Sequence, residues 1–169
     1  SSPWAIEDAR SIPGGKKLVC VAAGHHTLAV GPVVVVDPSR GINEPKGMAI
    51  VTPDVKPTEG GMDGVPVPEG GTQDGGGLYS TPWALSEKCF LASYTYSNKE
   101  TDAKGYALYV IDVFGNKELI HRDPAISCFL PTPLRPRRPA RPRRRCVFRQ
   151  ATPRGRRSRG TPSCRGERS

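Results

Sequence analysis

The chain has 169 residues and a formal net charge of +9, and its length suits one ordinary domain. The charge is unevenly divided: residues 131–169 hold 14 arginines and one acidic residue, whereas residues 1–130 hold 11 basic and 15 acidic side chains. A nucleic-acid argument therefore concerns the C-terminal tail alone. No apolar run approaches the ~18 residues of a membrane span, so we expect none, and the sequence does not open with a charged-then-apolar signal segment.

The N-terminal part reads as short β-type runs separated by glycine and proline. Lys17–Ala22 is predicted to be a strand, and Thr27–Val30 a weaker one. Val33–Val36 follows the Gly-Pro break, and four consecutive valines favour a strand buried on both faces. Asp37–Gly41 has the chemistry of a turn, and Gly47–Thr52 is predicted to be the next strand.

Residues 54–77 form a long glycine- and proline-rich interruption, which is unusual inside a compact domain. Order is expected to resume at Leu78. Lys88–Tyr96 and Tyr106–Val113 are predicted strands, and Lys117–His121 is predicted to pair with the latter across a tight turn at 114–116. No segment combines a helix cap with an apolar stripe. The pattern therefore predicts an all-β fold.

A faint internal repeat runs through these strands. Val36-Asp37 ends a strand ahead of a turn, and Ile111-Asp112 does the same 75 residues later. The long interruption accounts for much of that spacing, and the remainder is near the length of a β-propeller blade. An ordinary β-sheet that is not part of a propeller explains this pattern comparably well.

Seven stretches of the chain share unusual motifs with a known family: Gly24-His25-His26, Gly31–Gly41, Glu59-Gly60-Gly61, Pro66–Gly77, Tyr79–Lys88, Ala107–Asp123 and Ile126–Arg137. Together they resemble the middle-domain segment of the hydrazine synthase alpha subunit. That segment occurs in many large secreted bacterial proteins, notably those of planctomycetes.

The resemblance implies a β-propeller related to the TolB and WD-type repeats, and an extracytoplasmic location. Residues 1–134 would then be a partial propeller of about two antiparallel blades, whose partners are the remaining blades or domains of a parent protein. It does not imply hydrazine synthesis, because that chemistry in the family depends on c-type haems in flanking domains and this chain has no CxxCH motif. We expect no cofactor, and haem enters only if the chain is a segment of such an enzyme subunit.

The similarity to the family ends near Arg137, where arginine- and proline-rich sequence begins. We expect residues 135–169 to be disordered, because their composition cannot form a core. An abrupt change of composition of this kind suggests a truncated or frameshifted gene product. Resequencing the gene tests this idea, since a one-base change should restore a propeller-like continuation.

Adjacent histidines at Gly24-His25-His26 are the weak candidates for a metal site. Neighbouring residues of an extended chain point to opposite faces, so we expect the two side chains not to share one ion easily. A structural role is therefore favoured over ligation for His25 and His26.

No complete catalytic constellation is visible. There is no GxSxG motif, and Gly75-Gly76-Gly77 lacks the strand, helix and lysine of a phosphate-binding loop. Cys128 lies near His121 and Asp123, but its apolar neighbours favour burial, which raises the pKa of a thiol. The five cysteines form no CxxC pair, and buried structural thiols are the favoured interpretation. The sequence therefore does not decide whether the protein is an enzyme, but it favours a non-catalytic protein.

Three functions follow as alternatives. The first is a non-catalytic scaffold or binding module within a larger extracytoplasmic protein, marginally stable in isolation. The second is a segment of a haem-dependent hydrazine synthase-like subunit. The third is non-specific nucleic-acid binding through the tail, whose candidate residues are Arg143, Arg144, Arg145, Arg156 and Arg157.

Overall fold

A computed structural model describes residues 5–41, 45–58 and 76–134. These residues form eight strands in two antiparallel sheets of four. The first sheet has the order β1-β2-β3-β4 and the second has the order β5-β6-β7-β8, so each is a simple meander. The only helices in the described ranges are single 3-10 turns at Pro38–Arg40 and Pro45–Gly47. The all-β prediction is therefore confirmed.

The strands of the first sheet are β1 Ala5–Ser11, β2 Leu18–Ala23, β3 Val33–Val36 and β4 Met48–Ile50. Those of the second are β5 Leu78–Ala84, β6 Cys89–Thr95, β7 Ala107–Asp112 and β8 Lys117–His121. Six of the eight match predicted strands, with β3 and β8 agreeing at both ends.

The predicted strand at Thr27–Val30 is wrong. The chain bends there instead, and the backbone N–H of Gly24 donates to the hydroxyls of Thr27 and Thr58, each at 3.1 Å. Side-chain acceptors of this kind compete with a sheet ladder for the same donors. The segment is therefore a fixed turn between β2 and β3.

The turn between β7 and β8 is also longer than the tight turn expected at 114–116. β7 ends at Asp112 and β8 begins at Lys117, so four residues separate the two strands. Gly115 takes the expected positive φ, at 89°. The carboxylate of Asp112 accepts hydrogen bonds from the backbone N–H groups of Phe114 and Asn116, at 2.9 and 3.0 Å. This one side chain therefore satisfies the donors of the longer loop.

The two sheets repeat the same pairing scheme. Leu18 of β2 pairs with Val36 of β3, and Phe90 of β6 pairs with Ile111 of β7. Val36 and Ile111 are each followed directly by an aspartate. In both sheets the N–H of this aspartate closes the loop that follows. Asp37 donates to the carbonyl of Gly47 at 2.7 Å, and Asp112 donates to the carbonyl of Asn116 at 3.1 Å. The repeat inferred from Val36-Asp37 and Ile111-Asp112 is thus confirmed at the level of register.

The first strand of each sheet carries a bulge at an equivalent place. The register shifts between Glu7 and Arg10 in β1, and between Ser80 and Trp83 in β5. Proline cannot donate to a ladder and is tolerated at bulges, which explains how Pro82 lies inside β5. The residue before it, Thr81, has a φ of +50°.

One face of the first sheet packs on one face of the second, and this contact forms the main core. Val19 and Val33 contribute from the first sheet, while Phe90, Tyr94 and Tyr109 contribute from the second. Burial of each such side chain stabilises the fold by roughly 1.5–3 kcal/mol. Phe90 and Tyr94 of β6 therefore share the buried face, as residues an even number of positions apart in a strand do.

The opposite face of the first sheet holds a second apolar cluster, here called the outer cluster: Cys20, Ala22, Val34 and Ile50, flanked by Leu18, Val36 and Met48. Val33 and Val34, adjacent in β3, therefore face different clusters and are both fully buried. The expectation that the valine run is buried on both faces is confirmed for these two residues.

A short backbone link ties the two sheets together. Gly31 and Tyr79 exchange hydrogen bonds, with N–O distances of 3.0 and 3.1 Å. Gly31 has a φ of +154°, and a Cβ there would lie 2.3 Å from the carbonyl oxygen of Ala22. Only glycine fits this close approach of backbones.

Candidate functional sites

The connections at one end of the sheets converge on a polar cleft of about 330 Å³, here called the loop-end cleft. It is lined by Lys56, Thr58, Gly77, Leu78, Asn98 and Glu100. These residues come from the segment after β4, the start of β5 and the loop between β6 and β7. Both sheets therefore contribute to it.

Side-chain hydrogen bonds fix the walls of this cleft. Thr27 and Thr58 join their hydroxyls at 2.9 Å. The carboxylate of Glu100 accepts from the backbone N–H of Leu28 at 3.1 Å, and the amide oxygen of Asn98 accepts from the N–H of Gly77 at 2.7 Å. The cleft is thus built mainly from capped backbone turns.

The two candidate metal ligands lie beside this end of the molecule. His25 Nδ1 and His26 Nε2 are 3.2 Å apart, and the rings meet edge to face. The argument that neighbouring residues diverge is wrong here, because residues 25–27 form a bend rather than an extended strand. Zinc takes three or four protein ligands, and the described ranges contain no cluster of three histidine, cysteine, aspartate or glutamate residues. The preference for a structural role of His25 and His26 over metal ligation stays a prediction.

A cluster of tyrosines surrounds the ammonium group of Lys117 between the sheets. Lys117 Nζ lies 3.6 Å from the centre of the Tyr94 ring and 5.3–5.4 Å from those of Tyr79 and Tyr96. The carboxylate of Asp54, which follows β4, is 3.3 Å from the same nitrogen. An ammonium held over aromatic faces gains cation–π stabilisation. This tyrosine cage was missed from the sequence, although the alternating tyrosines of β6 could have signalled it.

Electrostatics within the cage follow from burial. Desolvation raises the pKa of the Tyr94 phenol, and the hydrogen bond and charge of Lys117 act in the opposite direction. Desolvation also raises the pKa of Tyr79, with the nearby Asp54 carboxylate adding to the shift. Both phenols therefore stay neutral, and the anionic partner of Lys117 in the cage is the Asp54 carboxylate rather than a tyrosinate.

A third concavity of about 280 Å³ lies against the first sheet, where β2 and β4 begin and β3 ends. Its lining includes the cationic side chains of Lys17, Arg40 and Lys46. Lys17 pairs with Glu87 at 2.9 Å, and Arg40 lies 3.7 Å from Asp37. Lys17 and Arg40 are therefore already engaged by carboxylates within the chain.

The thiol groups do not assemble a nucleophilic site in the described ranges. Cys20 is fully buried in the outer cluster, and desolvation raises its pKa to about 11. Burial in apolar surroundings makes a thiol inert. Cys89 and Cys128 are half-buried, and the side chain of Asp123 instead accepts from the backbone N–H of Ala125 at 2.7 Å.

The candidate nucleic-acid residues Arg143, Arg144, Arg145, Arg156 and Arg157 lie outside the described residues, as do most of the long interruption and Gly75. Within the described ranges, no helix has the length and apolar character needed to cross a bilayer.

The fold therefore defines an all-β protein built from a repeated four-stranded meander. No family model, curated protein or solved structure matches the chain.

Proposed function

We propose that this chain is a non-catalytic β-propeller segment, which serves as a scaffold or binding module of a larger extracytoplasmic protein. The observation that carries the proposal is that residues at equivalent register positions in the two sheets face in the same direction along the stack of sheets. Residues of the first sheet that pack on the second, Val19 and Val33, correspond by register to Leu91 and Leu108 on the far face of the second sheet. A radial array of blades repeats its contacts in this manner.

The far face of the second sheet is apolar enough for such a role. Leu91, Leu108 and Val110 are half-buried on it; Leu91 pairs with Val110 between β6 and β7, whereas Glu118 and His121 of β8 pair with Val110 and Leu108 at its edge. Apolar surface of this kind is typical of interaction sites. The extracytoplasmic location rests on the family resemblance of the sequence.

The proposal has a direct test in the purified chain. A segment that lacks its neighbouring blades should be marginally stable, with a broad thermal transition by circular dichroism and binding of the apolar dye ANS. Replacing Leu91 and Val110 together with lysine should reduce the dye signal by at least half, because the long side chains cover that face with charge. A matched pair of substitutions at exposed polar sites, Lys99→Ala and Lys104→Ala, should leave it unchanged. A sharp transition without dye binding contradicts the proposal.

Nucleic-acid binding is the second candidate, favoured by the 14 arginines of residues 131–169. Such a tail should bind DNA with a steep dependence on salt. Removing residues 135–169 should abolish retention on immobilised DNA at low salt. Unchanged retention of the shortened chain excludes this function.

A further inference from the structure

Three residues other than glycine share an uncommon backbone conformation. Asp8, Thr81 and Leu130 have φ values of 53°, 50° and 56°, and no other non-glycine residue of the described ranges has a positive φ. This conformation costs roughly 1–2 kcal/mol in an L-residue. Asp8 and Thr81 hold equivalent places, in the bulges of β1 and β5. The third member of the set lies in the segment after β8.

One backbone hydrogen bond of that segment matches a bond of β5, while the N–H of Tyr106 donates to the Ser127 hydroxyl at 3.1 Å instead of completing a reciprocal pair. Tyr79, two residues before Thr81, donates its N–H to the carbonyl of Gly31 at 3.1 Å. Cys128, two residues before Leu130, donates its N–H to the carbonyl of Tyr106 at 2.9 Å. The two acceptors hold equivalent positions of the repeat, as the ladder register shows.

Gly31 is two residues before Val33, and Tyr106 is two residues before Leu108. Val33 and Leu108 are themselves equivalent, because they pair with Val21 and Ser93 at matching positions of β2 and β6. The segment after β8 therefore meets the second sheet in the same register in which β5 meets the first.

Residues following the positive φ support the same equivalence. Pro82 follows Thr81, and the buried Pro131 follows Leu130. The N–H of Leu130 donates to the hydroxyl of Thr81 at 3.1 Å, which joins the two positions directly. The segment after β8 therefore repeats three features of β5 in the same chain order: a cross-sheet backbone hydrogen bond, a residue with a positive φ two positions later, and then a proline.

The segment also carries an unusual density of exposed apolar surface. Ile126, Phe129, Leu130 and Leu134 are 60%, 46%, 57% and 102% exposed. They adjoin the far face of the second sheet through the Thr81 hydroxyl, which accepts from the N–H of Leu130 and lies 3.0 Å from the hydroxyl of Ser93, the ladder partner of Leu108. Exposed apolar residues that cluster beside a half-buried apolar face indicate a docking surface.

We propose that residues 128–134 are the first strand of a third sheet of the same repeat. Together with the far face of the second sheet, they form a docking surface for a three-stranded antiparallel meander. The partner presents to Leu91, Leu108 and Val110 an apolar and aromatic face of the kind that β6 and β7 present to the first sheet. It completes the third sheet by pairing with the outer edge of residues 128–134, which is recognition by strand addition. The inference deepens the proposed function and rests on it.

The experiment uses the full chain labelled with ¹⁵N and ¹³C-methyl groups. The probe is a synthetic peptide with the sequence of residues 88–121, which contains the three later strands of the second sheet. We expect saturable chemical-shift changes at the amides of 128–134 and at the methyl groups of Leu91, Leu108 and Val110. A scrambled peptide of the same composition should cause none.

Two variants make the docking test specific. Leu130→Pro removes the N–H that meets Thr81 and cannot adopt a positive φ, so it should weaken peptide binding at least tenfold. Leu28→Ala removes a side chain that is 51% exposed at the loop end, and it should leave binding unchanged. Absent saturation, or shifts located elsewhere, overturns the inference.

A measurement without the peptide tests the third strand by itself. Thr81→Val removes the acceptor of the Leu130 N–H while keeping the shape of the side chain, so exchange of that amide with solvent should accelerate at least tenfold. An unchanged exchange rate contradicts the proposed register. If docking fails while the dye and thermal measurements behave as expected, the third strand is wrong and the scaffold function stands. If those measurements fail as well, both are wrong.

Discussion

At the scale of single residues, Gly31 is where the chain leading into β3 forms a backbone bridge to β5. Replacing it with alanine places a Cβ 2.3 Å from the carbonyl oxygen of Ala22, which is fixed in β2. We expect Gly31→Ala to lower the free energy of unfolding by about 2 kcal/mol or more, measured by urea titration. Gly14→Ala is the control, because Gly14 also has a positive φ but has open space around it. Equal losses in the two variants would show that strain alone, without a clash, decides the result.

Asp112 provides a prediction about pH. Hydrogen bonds from Asn116 lower the pKa of this carboxyl group, with further backbone donors of the loop contributing. A folded-state pKa below the unfolded value gives stability that is complete above the unfolded pKa of about 3.9 and is lost as pH falls through the folded pKa. Asp112→Asn should therefore unfold at a lower urea concentration at pH 6, and the difference from the unmodified chain should shrink below pH 4. A difference that is constant from pH 6 to pH 3 would contradict this.

Much of this residue chemistry could be predicted from sequence. The roles of Asp37 and Asp112 as acceptors for turn amides are local, because a carboxylate two residues from an N–H reaches it without help from the fold. The relation between His25 and His26 was not predictable, since it depends on a bend that the surrounding loops impose. The tyrosine cage also joins residues that only the sheets bring together.

At the scale of elements, the tyrosine cage links β8 to the segment after β4. Lys117→Met should lower the free energy of unfolding by about 1–2 kcal/mol, because the ammonium group is desolvated over the Tyr94 ring. Asp54→Asn should cost less, about 0–1 kcal/mol, because that carboxylate is 45% exposed and the pair is screened by water. Urea titrations of the single and double variants give the coupling between the two groups. A larger cost for Asp54→Asn would show that the ion pair, not the rings, dominates.

Among the strands, those with continuous or alternating apolar patterns were predictable. β1 was missed because its residues are only partly buried and include charges, so no period stands out. β5 was not delimited as a strand because Pro82 argues against a ladder, and only the bulge makes the proline acceptable. The opposite error was made at Thr27–Val30, where a strand was predicted but the residues form a turn that side-chain hydroxyls cap.

At the scale of the whole molecule, the two equivalent faces should tolerate charge very differently. Val19 is fully buried against the second sheet, and Leu91 holds the matching position on the far, half-buried face. Val19→Lys should cost more than about 3 kcal/mol, because an ammonium group is buried without a partner. Leu91→Lys should cost about 1 kcal/mol or less, because the lysine chain can extend to water. The dispersion of amide signals and urea titration distinguish the outcomes, and similar losses in both variants would show that the far face is covered.

By itself, the sequence determined the all-β class, the positions of most strands, the aspartate turns and the separation of an acidic N-terminal part from an arginine-rich tail. These features depend on local chemistry: β-branched runs, proline and glycine breaks, and short-range hydrogen bonds. Only the tertiary structure decided which faces are covered, where Lys117 is held and that Leu130 repeats the bulges at Asp8 and Thr81. Those relations depend on contacts between residues far apart in the chain, and an alternating pattern gives the two faces of a strand without saying which partner each face will meet.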